Sequence, residues 1–232
     1  GKVSVRGWGL GSAQSVGDLN SRVAFAVLVC AAICTTAGAV SVNVDGLSVN
    51  VTVSSIVGSG AAAPTDGTRA VAGFSSPRGV AAINDTFVAV ADSGSHRIRM
   101  VNSVTGETTT LAGGAVGFWN DHNGFGLAQF SSPSYLALIR GTPLLVVSDT
   151  GNHALRVLDT ASRAVWTLAG TRSPGLQNGK GNAAAFSSPG GVAVSADGGT
   201  VYVADEGNNC IRKVSYPSGD VSLLAGSDAG TS

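Results

Sequence analysis

The chain has 232 residues, of which 44% are hydrophobic and 12% charged, with 33 glycines and a formal net charge of zero. That is too apolar for an intrinsically disordered chain, and abundant glycine with few charges suits a turn-rich all-β protein. No run of Lys or Arg occurs, and beyond residue 39 acidic residues slightly outnumber basic ones, so the basic stripe expected of a nucleic-acid binder is missing and no nucleic-acid partner is expected.

Residues 1–22 are polar and mildly basic, with Lys2, Arg6 and Arg22 against Asp18. Val23 to Cys34 then runs for twelve residues without a charge, and Thr35-Thr36-Ala37-Gly38-Ala39 supplies a small-residue exit. A basic flank, a short apolar core and an A-x-A pattern predict a secretory signal peptide over 1–39. The uncharged stretch continues to Val44, and about 20 apolar residues can span a bilayer, so a signal anchor is the alternative and the only membrane contact expected. The first residue is Gly rather than Met, which reads as a fragment or a mis-started reading frame. Cys30 and Cys34 lie in this segment, leaving Cys210 alone in the rest of the chain. It has no partner there for an internal disulfide, and no Cys/His spacing suggests zinc. Asn50-Val-Thr52 and Asn84-Asp-Thr86 are glycosylation sequons for a chain in the secretory pathway, with Asn84 placed in a turn between two predicted strands.

Residues 40–73 form a strand-rich lead-in. Val40, Val42, Val44, Leu47, Val49, Val51 and Val53 alternate with other residues, the period of strands with one buried face. The stretch Val53-Ser-Ser-Ile-Val-Gly58 is similar to the close of each unit described next, which predicts a single extra closing strand near Val49–Val57.

From residue 74 the chain repeats. Phe-Ser-Ser-Pro occurs at Phe74, Phe130 and Phe186, a spacing of 56 residues (130 − 74 and 186 − 130). Self-similarity at a fixed period sets the architecture before any single residue is read. The units are 74–129, 130–185 and 186–232. Each carries an apolar run ending in Asp, then a glycine turn: Asp92-Ser-Gly94, Asp149-Thr-Gly151 and Asp205-Glu-Gly207. Seven residues after each Asp stands an Arg (Arg99, Arg156, Arg212), and each unit closes on Leu-Ala-Gly. Four short strands per unit are predicted, in the third copy over 191–194, 200–204, 210–214 and 220–224, separated by Gly-, Asn- and Pro-containing turns. Four antiparallel strands without a helix between them read as a propeller blade.

The string Asp-x-Gly-[Ser/Asn]-[His/Asn]-x-[Ile/Leu]-Arg, as in Asp149-Thr-Gly-Asn-His-Ala-Leu-Arg156, resembles the NHL repeat, whose name-giving residues stand at Asn152, His153 and Leu155. The resemblance covers about residues 53–226. It implies a β-propeller, most often of six blades, so three complete four-stranded blades plus one extra strand read as a fragment of a six-bladed ring. It also implies an interaction module that presents one face to a protein or other ligand.

Candidate site residues follow from departures between copies. Three Asp/Arg pairs at identical spacing point to a structural role in every blade, the Asp accepting backbone N–H groups and facing the Arg. His96 and His153 occupy a position held by Asn209 in the third copy, which marks a polar turn group. His122 lies in the long loop 114–126 with Trp119, Asn120, Asp121 and Asn123; the run is faintly like a calcium loop but lacks its later acidic ligand. Phe118 and Trp119 are a large apolar pair in that loop, either a binding anchor or a staple against a neighbouring blade. Arg78, Tyr135 and Arg140 replace smaller residues of the other copies, and Arg78 and Tyr135 adjoin the start of the innermost strand, at the channel mouth. They complete the set of candidate ligand contacts. Catalytic motifs are lacking: there is no Gly-x-Ser-x-Gly elbow, phosphate loop or His-x-x-x-His. No catalytic residue, metal or cofactor is therefore expected. The sequence favours a non-enzymatic binding or scaffold module, secreted or membrane-anchored with its repeats outside the cytosol, taking a protein or small extracellular ligand. The resemblance leaves two alternatives: a metal-dependent secreted lyase whose ligands lie partly in further blades, and an RNA-binding propeller.

Overall fold

The computed structural model describes residues 38–44, 47–60, 62–118 and 127–226. Residues 1–37 of the expected signal peptide, Trp119 and the His122 cluster lie outside them. The chain divides into two units, one ending at Ser55 and one beginning at Ile56.

In the first unit β1 (Gly38–Val44) and β2 (Leu47–Val53) form an antiparallel hairpin. Val40 stands opposite Val51, Val42 opposite Val49 and Val44 opposite Leu47. The sequon residue Asn50 lies on β2. The lead-in thus supplies two strands where one closing strand was expected, and β2 pairs with β1. Residues 54–57 are not strand, because the apolar alternation that specifies strand stops at Val53.

The second unit is three blades. The first is β3 (Pro77–Ala82), β4 (Phe87–Asp92), β5 (Arg97–Asn102) and β6 (Thr108–Gly113). The second is β7 (Pro133–Leu138), β8 (Leu144–Asp149), β9 (Ala154–Asp159) and β10 (Val165–Gly170). The third has a two-residue strand, β11 (Gly179–Lys180), followed by β12 (Pro189–Val194), β13 (Thr200–Asp205), β14 (Cys210–Ser215) and β15 (Asp220–Ala225). Each blade is an antiparallel meander, with β11 added outside β15. The all-β, four-strand reading holds, and the strands predicted in the third copy are found within two residues of their expected limits.

The first strands β3, β7 and β12 lie side by side, which makes them the inner strands. They crowd closely: a Cβ at Gly79 would sit 2.6 Å from the Ser134 carbonyl oxygen and 2.7 Å from Tyr135 Cα. Between the second and third strands each blade makes a single 3-10 turn, closed by a residue in the left-handed region: His96 (φ 58°), His153 (φ 53°) and Asn209 (φ 52°).

The core lies between blades, because strand side chains alternate between the two faces of a sheet. Blade 1 offers Ala89, Ala91, Ile98 and Leu111 to Phe130, Leu136, Leu145 and Val147. The opposite face of blade 2 offers Val146, Leu155, Val157 and Leu168 to Phe186, Val201, Val203 and Val214. Phe130 and Phe186 are fully buried in these two layers, the first phenylalanine of each repeat plugging the blade before it. Phe74 is only half-buried.

Candidate functional site

Each Asp at the end of a second strand is wholly buried and saturated with donors. One carboxylate oxygen accepts the backbone N–H of the first serine of Phe-Ser-Ser-Pro: Ser75 to Asp92 at 2.6 Å, Ser131 to Asp149 at 2.7 Å and Ser187 to Asp205 at 2.7 Å. The other oxygen takes the arginine on the third strand, at 3.1 Å from Arg99 and 3.0 Å from Arg156 and Arg212. It also accepts a turn side chain: Ser95 Oγ in blade 1, Asn152 Nδ2 in blade 2 and Asn208 Nδ2 in blade 3. The glycine two residues after each Asp is required by close approach, since a Cβ at Gly151 would lie 2.5 Å from Ser131 Oγ.

The arginines tie the start of each repeat to its third strand. Each guanidinium donates to the carbonyl just before Phe-Ser-Ser-Pro, at Gly73, Gln129 and Ala185, and lies over that motif's phenylalanine at 5.2–5.5 Å. Hydrogen bonds to the preceding loop are described in blades 1 and 3. Arg99 donates to Thr65 O and the Asp66 carboxylate, and Arg212 to Gln177 O and Asn178 Oδ1. Burial pushes the Asp149 carboxyl up to about 6, against the pull of the Arg156 charge and of hydrogen bonds from Asn152 and Ser131; at neutral pH the ionised form prevails and pairs with Arg156. In all three blades the Asp and the Arg are thus bonded to each other and to backbone groups.

The histidines join one blade to the next. The second serine of Phe-Ser-Ser-Pro donates its backbone N–H to a histidine of the preceding blade, Ser132 to His96 Nδ1 and Ser188 to His153 Nδ1, both at 2.9 Å. Those serines have positive φ (48° and 49°), which aims the N–H outward. Sequence marked His96 and His153 as polar turn groups. It missed the latch because the acceptor is set by a backbone group some 35 residues away.

The candidate ligand contacts separate into groups. Arg78 on β3 and Tyr135 on β7 are both exposed, near the starts of adjacent inner strands. Arg140 is exposed in the turn after β7, at the other end of that strand. At about 3.3 Å per residue it stands well over 10 Å from Tyr135. Phe118 is half-buried, with Arg156 and Arg172 over its ring at 4.6 and 5.1 Å. Trp119 lies outside the described residues. Asn84 is exposed in the β3–β4 turn, where its Oδ1 accepts the Thr86 and Phe87 N–H groups. Among the described residues no three His, Cys, Asp or Glu side chains are grouped so that they could hold a metal ion.

Residues 186–214 match the NHL repeat family. The chain is 32% identical over 158 residues to Protein SUPPRESSOR OF QUENCHING 1, chloroplastic, of Arabidopsis thaliana, a match covering 65% of this chain and 15% of that protein. It is 30% identical over 163 residues to NHL repeat-containing protein 2 of Homo sapiens, covering 66% and 22%. The chain therefore spans less than a quarter of the length of these relatives. Among solved structures it is similar to an auxiliary nutrient binding protein from Bacteroides ovatus, with a TM-score of 0.53 at 14% identity over 67% of this chain and 37% of that one; this is a likeness of fold.

Proposed function

We propose that this chain of NHL repeats is a binding module, in which the inner-strand ends of a β-propeller present Tyr135 to a protein or small-molecule ligand. Tyr135 carries the reading. It is 40% exposed on the middle inner strand, and the equivalent positions of the inner strands on either side are Gly79 and Gly191. An aromatic ring flanked by bare backbone offers a planar contact surface with few rotamers to immobilise, the property that makes tyrosine a frequent binding anchor. The conspicuous buried charges nearby, the Asp–Arg pairs, are already committed to each other and to backbone groups, so the free surface and not the charged core is where recognition resides. A non-enzymatic role agrees with this division.

The test is affinity capture from the native source with wild-type protein and Tyr135→Ala. The expected result is a bound component reduced by about tenfold or more in the variant, the loss of a hot-spot aromatic, with an unchanged melting temperature. Equal capture by both proteins would overturn the reading. We also place the blades outside the cytosol, in a secreted or membrane-anchored protein. The apolar run 23–34 and the exposed sequon at Asn84 support this. Endoglycosidase should shift the mobility of natively expressed protein, and Asn84→Gln should reduce that shift; a wild-type chain without glycan would count against it.

A further inference from the structure

The two histidine latches set a proton requirement on the joints between blades. A ring nitrogen that accepts a hydrogen bond carries no hydrogen of its own. His96 and His153 therefore hold the serine N–H of the next blade as neutral rings, with their one proton on Nε2. A second proton would go to Nδ1 and set two donors facing each other at 2.9 Å. Turning the imidazole over would bring a carbon to the contact and no acceptor. Protonation and the latch are exclusive at both joints.

Neither partner is free to find another arrangement. The residues before the latched serines, Ser131 and Ser187, donate to Asp149 and Asp205. The residues after them, Pro133 and Pro189, begin the inner strands β7 and β12. Each histidine closes a 3-10 turn, its own N–H meeting Ser93 O or Thr150 O. Both histidines are half-buried, near enough to solvent to exchange protons with it.

The charged groups around the latches leave the imidazoles without a counter-ion. Beside His96, Arg97 reaches Pro64 O at 2.6 Å, Asp92 is paired with Arg99, and across the joint Asp149 is paired with Arg156. Around His153 stand that same Asp149–Arg156 pair and, from blade 3, Asp205 paired with Arg212. Glu206 lies over Gly190, two residues beyond Ser188, and Arg172 stands two residues beyond Gly170, which adjoins the His153 carbonyl. Among the described residues neither histidine forms an ion pair with a carboxylate, so nothing there retains an added proton.

We propose that the joints between these blades are acid-sensitive. As pH falls through the range in which histidine ordinarily takes up its proton, about 8 to 5, His96 and His153 release their serines and both joints loosen together. The unfolded chain protonates the two rings freely, whereas the folded chain does so only by breaking the latches. The unfolded state then binds more protons, so this contribution to stability is present above the histidine range and lost as pH drops through it. Asp149 acts with the opposite sign. Burial raises its carboxyl to about 6, so the folded chain takes up that proton ahead of the unfolded one, which favours the folded state in acid. The proposal uses only the two internal joints and is independent of ligand capture at Tyr135.

Urea denaturation of the full chain at about pH 7.5 and about pH 5.5 tests it, with wild type set beside the double variant His96→Asn/His153→Asn. Asn209 holds the equivalent place in blade 3 with φ of 52°, so asparagine suits this backbone, and its amide oxygen accepts at either pH. The Asp149 contribution is common to both proteins and drops out of the comparison. Acidification should raise the wild-type unfolding constant about 5- to 30-fold more than the variant's, the worth of one or two ordinary hydrogen bonds. An equal response of the two proteins would overturn the proposal. Amide hydrogen exchange in the wild type gives a second reading that needs no variant. Protection of the Ser132 and Ser188 N–H groups should fall in acid, while that of Gly151, whose N–H meets the Ser131 carbonyl at 2.8 Å, is kept. Unchanged protection at the two serines would equally overturn it.

Discussion

Asp149 and Arg156 are fully buried charges in a chain with few charges, and the surrounding donors explain how the blade tolerates them. The carboxylate accepts a backbone N–H, an amide and a guanidinium, so neither charge is left without a partner at the end of a second strand. Removing one partner is worse than never having had the pair, because the other is stranded in low dielectric. Asp149→Ala should therefore cost about 3–5 kcal/mol, read as a lowered melting temperature with the loss already present in the absence of any ligand. Unchanged stability with lost binding would mean that Asp149 belongs to a ligand site. The pairing was legible in the sequence, since an Asp and an Arg seven apart across a glycine turn recur in register. The use of Phe118 was less so. A phenylalanine beside glycine looks like a loop anchor until Arg156 and Arg172 are seen over its ring.

At the scale of elements, the Phe-Ser-Ser-Pro segment performs three tasks in four residues. Phenylalanine fills the previous blade's socket, the first serine caps the Asp of its own blade, and the second serine latches to the previous blade's histidine. The string was visible from sequence as a boundary, and burial of its phenylalanine follows from an apolar residue at a fixed place in each unit. The latch was invisible because its donor is backbone and its acceptor lies in another repeat. His153→Ala should destabilise the protein by about 1–2 kcal/mol, the cost of leaving a partly buried N–H without its acceptor. His153→Asn should recover a good part of this, because Asn holds the corresponding place in blade 3 and tolerates the left-handed backbone. Chemical denaturation of the three proteins checks it; equal stability of wild type and His153→Ala would remove the latch from the account. The extra strand shows a limit of similarity by string. Val53 to Gly58 matches the close of a blade, yet β2 ends at Val53 and pairs with β1. Strand formation depends on which edge is offered for hydrogen bonding, and short strings do not carry that.

For the whole molecule, three copies at one period were enough to read the fold and the order of strands within each blade. What the copies share is structural, and what distinguishes them marks the surface, as with Tyr135 between glycines on the inner strands. Tyr135 was legible as a departure from the other copies, and so was Arg78, although only the structure separates them from Arg140. The claim that the inner-strand ends form the recognition face is tested most directly by site-specific photocrosslinking. A benzophenone side chain at position 135 is compared with one at position 104, which is 71% exposed in the β5–β6 turn on the outer side of blade 1. Adducts with other molecules at position 135 and few at position 104 are predicted; adducts at 104 with none at 135 would contradict it.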